Sequence, residues 1–77
     1  MARKYIKFSD GSFLIFSDTL QHLDMASAPT TAPDPVSAGF VGCTKDGRPR
    51  CFGASIGLDL ESAPTDTEEL RAWLCIG

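Results

Sequence analysis

The side chains here that could support thiol or metal chemistry are Cys43, Cys51, Cys75 and His22. A structural zinc ion wants thiolates in pairs such as Cys-x2-Cys, which seat two ligands on one tetrahedral centre. In this chain seven residues separate Cys43 from Cys51, and twenty-three separate Cys51 from Cys75. A Cys3His site would need Cys43 and Cys51 to face each other across a hairpin. Free cysteines ordinarily behave as small buried hydrophobes, and that is the reading taken: no metal and no cofactor. A nucleophilic cysteine needs an imidazole to activate it and a third group to orient the pair. No helix start follows any of the cysteines, and so short a chain leaves little scaffold for an oxyanion hole. His22 is therefore read as an exposed or partly packed residue of a short helix.

Carboxylates form a second set. Asp59 and Glu61 share one side of an alternating stretch, and Asp66, Glu68 and Glu69 open a helix. Paired carboxylates can do general acid–base work. A solvated strand face and a helix start whose dipole favours negative charge explain them more simply. Their closeness in sequence suggests one acidic patch. Gly39, Gly42, Gly53 and Gly57 fit neither a dinucleotide-binding loop nor a P-loop. Lys45, Arg48 and Arg50 read as a charged, solvated turn. Trp73, at helical spacing with Leu70, reads as core. The chain is not expected to be an enzyme.

Behind these residues stands a single domain spanning 1–77, globular in composition at 43% hydrophobic and 22% charged residues. Its stability margin should be on the order of a few kcal/mol. Carving a deep small-molecule pocket from so thin a core is difficult, and a flat or edge-on binding surface is easier. No run approaches a membrane span, and Lys7, Ser9 and Asp10 interrupt any signal-like segment after the basic start. An odd cysteine count closes no disulfide framework in a monomer. A reducing, cytoplasmic setting is expected.

Charge is uneven. Residues 1–58 carry six basic and five acidic side chains, whereas 59–77 carry five acidic ones against Arg71 alone. That balance disfavours nucleic acid as a direct ligand, since phosphate contacts need clustered Lys and Arg. It suits docking onto a basic protein surface.

Two Asp-Gly pairs punctuate the elements. Tyr5–Phe8 and Phe13–Phe16 flank Asp10-Gly11, and Ala38–Cys43 and Pro49–Ala54 flank Asp46-Gly47, so two β-hairpins are expected. The second strand, apolar on both faces, is expected in a central position with something packed on each side. Glycines inside the second hairpin suggest bulges or close backbone approach. A short helix is expected over about 18–26 behind Ser17-Asp18-Thr19, then an exposed Pro/Ala/Ser/Thr-rich loop over 26–37. Ile56, Leu58 and Leu60 alternate with Gly57, Asp59 and Glu61, which reads as continued strand. Thr65 and Glu68 form a capping box ahead of the Leu70, Trp73, Leu74 stripe. The fold class is α+β: an antiparallel sheet of four to five strands with two helices, in the order β-β-α-β-β-(β)-α.

From the Lys4–Phe16 hairpin through Ser37-Ala-Gly-Phe40 to the acidic C-terminal helix, the chain resembles the small proteins of phages and mobile elements, anti-CRISPR proteins above all. The resemblance implies a non-catalytic inhibitor that binds a CRISPR effector complex and blocks DNA access at a Lys/Arg-lined groove. Its implied contact surface is Asp59, Glu61, Asp66, Glu68 and Glu69, with Arg48 and Arg50 facing elsewhere. The alternative is a small structural or assembly module that self-associates, for instance as a homodimer.

Overall fold

The computed structural model describes residues 3–22 and 34–76. β1 (Arg3–Phe8) and β2 (Phe13–Phe16) form the first hairpin; β3 (Pro35–Cys43) and β4 (Pro49–Phe52) form the second. The four make one antiparallel sheet in the order β2-β1-β3-β4. A two-stranded ribbon follows, β5 (Ala54–Ser55) with β6 (Leu60–Glu61), and then α1 (Asp66–Ile76). Both Asp-Gly turns form as the local chemistry dictates. Gly11 and Gly47 take φ of 88° and 78°, values that only glycine adopts freely, and their N–H groups close the turns onto Phe8 and Thr44 carbonyls.

Period-two alternation sends successive residues of each strand to opposite sides of the sheet. On one side Tyr5, Phe13 and Cys51 pack with Ile15 and Val41 beneath Leu70 of α1. On the other, Ile6, Phe8, Phe16 and Ala38 pack with Leu14 beneath Leu58 and Leu60. The sheet is thus the middle layer, with helix on one face and the β5–β6 ribbon on the other. This is why β2 is apolar on both faces. It is nevertheless an edge strand among the described residues, and β1 and β3 hold the centre. Being covered on two faces and being flanked by two strands are separate conditions, and side-chain pattern reports only the first.

Other expectations are corrected as well. Residues 18–20 form a turn, closed by Leu20 N–H on Ser17 O and tied to β1 by Lys4 Nζ on Leu20 O at 2.7 Å. Of the expected helix, His22 is helical and 23–26 lie outside the described residues, as does 26–33 of the expected loop. The loop's end, from Pro35 to Ser37, belongs to β3, and Ser37 is buried. Strand β3 starts at a proline because Pro35 pairs with Phe8 across a register shift, where a missing N–H is tolerated. The alternating stretch 56–61 is no continuous strand: residues 56–59 turn, with Asp59 at a φ of 55°. Short polar residues tolerate this left-handed backbone better than most.

Close approach accounts for the strand glycines. A Cβ on Gly39 would collide with the Phe52 carbonyl and stand 2.6 Å from Ser62 Oγ. One on Gly42 would lie 3.2 Å from the Phe52 ring. The ring of Phe52 thus takes the space that a side chain at position 42 would fill.

Candidate functional site

The five expected contact acids do not form one patch. Asp66 is fully buried at the start of α1. Its Oδ2 accepts the Tyr5 hydroxyl at 2.5 Å and the Ala63 N–H at 3.0 Å. Its Oδ1 makes no hydrogen bond but faces the Lys7 ammonium at 3.7 Å, within ion-pair range. A side chain with no exposed surface cannot touch a partner, so Asp66 is structural. Glu69 is half-committed too. Lys7 Nζ bonds both its oxygens at 2.8 Å, and Thr65 Oγ1 donates to Oε2 at 2.7 Å. The hydroxyl of Thr65 therefore turns to Glu69, one residue beyond the capping-box position expected of Glu68. Glu68 itself is exposed.

The electrostatics follow from these contacts. Burial, and next its bond to Asp66, pushes the Tyr5 phenol far above its ordinary range, so it stays protonated and donates. Bonding to Glu69 raises Lys7, and bonding from Lys7 and then Thr65 lowers Glu69. At the start of α1, Asp66 and Glu69 are engaged by internal partners, and Glu68 is left in solvent.

Asp59 and Glu61 are placed differently. Both are exposed, Asp59 in the turn and Glu61 on β6. Leu58 and Leu60 fasten this ribbon to the sheet face opposite α1, so these acids and Glu68 are on opposite sides of the molecule. Between them the ribbon presents Ile56, 98% exposed. A concavity of about 450 Å³ lies along the tip, lined by Ala54, Ser55, Ile56, Asp59, Leu60 and Glu61. The sequence carried a signal for Ile56, an isoleucine followed by glycine, but alternation concealed it by implying a buried face.

The thiol and imidazole candidates are dispersed. In register, Cys43 pairs with Pro49 and Cys51 with Val41, so the two cysteines are not opposite each other. Cys43 and Cys75 are exposed; Cys51 is buried. Burial, then the nearby Asp66, pushes the Cys51 thiol up to about 11, leaving it protonated and unreactive near neutrality. His22 is buried, contrary to expectation. Its Nε2 bonds Gly39 O at 2.8 Å, and its ring stands edge-on between Phe16 and Phe40. Among the described residues, no three His, Cys, Asp or Glu side chains gather.

Two further surfaces stand out among the described residues. Phe40 stacks with Phe52, and the Arg50 guanidinium sits 5.9 Å from the Phe52 centroid. Trp73, expected in the core, is 39% exposed and leans on Phe13. Leu74 is also exposed, beside a groove of about 240 Å³ lined by Arg48, Pro49, Arg71, Leu74 and Cys75.

No family model matches the chain, and neither does any curated protein or solved structure. Among the described residues no helix is long and apolar enough to cross a membrane.

Proposed function

We propose that this chain is a non-catalytic binding protein that works inside the host cell as an inhibitor of the anti-CRISPR kind. It occupies a basic, nucleic-acid-handling surface and denies it to DNA. The observation that carries this reading is the ribbon tip, where a wholly exposed Ile56 stands beside the exposed residues Asp59 and Glu61. Among the described residues, neither core cluster includes Ile56. An apolar anchor rimmed by charge is how binding energy is commonly organised at protein interfaces. The carboxylates steer encounter with a Lys/Arg-lined partner and oppose acidic ones. Support against chemistry comes from the raised thiol of Cys51 and the commitment of His22 to Gly39.

The test measures target-DNA binding by a purified CRISPR effector complex as this protein is added. DNA binding should fall, and the double variant Asp59→Lys/Glu61→Lys should lose most of that inhibition, with the largest difference from the parent chain at low salt. Undiminished inhibition by the double variant at low salt would remove the acidic tip from the mechanism.

A second reading, a self-associating assembly module of a phage or mobile element, is favoured by one observation. The groove beside Leu74 pairs an apolar floor with two arginines.

A further inference from the structure

We infer that the ribbon tip of one copy docks into the Arg48–Arg71 groove of a second copy. The inference rests on the self-association reading and names its two surfaces. On one side stands Ile56 with Asp59 and Glu61. On the other, Pro49, Leu74 and Cys75 form an apolar trough, with Arg48 and Arg71 contributing the positive charge. The trough's volume of about 240 Å³ is several times the roughly 30 Å³ share of one water molecule, room for a branched aliphatic side chain. Two carboxylates meet two guanidiniums, the pairing whose forked geometry gives the strongest charge-assisted hydrogen bonds.

The groove is held in shape before anything binds. Arg71 Nε donates to Pro49 O at 2.9 Å, which fixes the guanidinium at the trough and leaves its other N–H groups available. Ribbon and helix lie on opposite faces of the sheet, so a tip meets a groove only on another copy. The contact joins unlike surfaces. Two such contacts around a twofold axis close a dimer, and one alone leaves free ends that extend the assembly.

Sedimentation velocity over a concentration series, at low and high salt, tests this. The full chain should associate, and salt should weaken the association. Ile56→Asp and Arg48→Glu, both at exposed positions outside the core, should each weaken it about tenfold or more. Circular dichroism checks that both variants remain folded. Mixing the two is the decisive arm: an intact groove then meets an intact tip, and the mixture should associate more tightly than either variant alone. A chain that sediments as a monomer throughout, or a mixture no tighter than its components, overturns the inference. Inhibition of DNA binding is read separately, so a monomeric result would leave that reading standing.

Discussion

The two faces of the sheet spend charge in opposite ways. Beneath α1, Asp66 and Glu69 are drawn inward to Tyr5, Lys7 and Thr65, and their charge holds the helix to the sheet. On the other face, the ribbon is fastened by Leu58 and Leu60, and its acids stay in water. Nearness in sequence therefore says little about shared duty. Asp59 and Asp66 are seven positions apart, yet one is solvated in a left-handed turn and the other has no exposed surface. The lesson is that an acid's role depends on which donors the fold brings to it. For Asp66 the decisive donor comes from Tyr5, sixty-one positions away.

The sharpest way to break this comparison is to remove the buried acid. Asp66→Ala leaves the Tyr5 hydroxyl and the Ala63 N–H without their partner and removes the longer of the two Lys7 ion pairs, and should cost about 3 kcal/mol in urea unfolding. Asp59→Asn, which removes the charge and tolerates the same left-handed backbone, should stay within about 0.5 kcal/mol when measured in parallel. Equal losses would erase the distinction between the faces.

A smaller effect lies in alkaline solution. Both Tyr5 and Cys51 have folded-state pKa values above their ordinary ones. The unfolded chain then releases protons that the folded chain keeps, so stability is full below the unfolded pKa and declines as pH rises. The Cys51 part is lost between 9.0 and about 11. The urea midpoint should begin to fall near pH 9, and in Cys51→Ala the onset should move up toward about 10, where an unfolded tyrosine titrates. An unchanged onset would mean that the thiol is not held protonated by the fold.

The mildest perturbation is Glu69→Gln. The lowered pKa of Glu69 stabilises the fold above the unfolded carboxylate value, and that gain disappears as pH falls through the folded one. Because the Glu69 side chain is 43% exposed, the cost should be below about 1 kcal/mol at pH 7, with no difference from the parent chain at strongly acid pH. A cost near that of Asp66→Ala would show Glu69 to be as deeply engaged as its neighbour.

Legibility in the sequence followed the range of the interactions. The two Asp-Gly turns, the strands they join and the Asp66–Ile76 helix rest on local backbone chemistry, and periodicity exposes them. Edge placement of β2 does not, because strand order depends on β3 pairing with β1 from the far side. The tight ribbon at 54–61 was hidden because Ile56, Leu58 and Leu60 alternate as a strand would, although a turn separates the first from the last. His22 looked peripheral because its acceptor, Gly39 O, is seventeen positions away. At the candidate site, the exposure of Asp59, Glu61 and Glu68 agrees with their polar character. The burial of Asp66 required knowing that Tyr5 would stand over it.

Strand β4, an edge strand among the described residues, has outward-facing backbone groups met by α1. Thr67 Oγ1 takes the Cys51 N–H at 3.0 Å and lies 3.5 Å from the Cys51 carbonyl, and Arg71 takes the Pro49 carbonyl. Pro49 has no N–H to leave open. Those two side chains, four positions apart on one helix face, keep the sheet from recruiting a foreign strand there. Opening the helix would expose those groups as an edge to which another strand could pair, so the cover that α1 gives β4 also guards the sheet against edge-to-edge association.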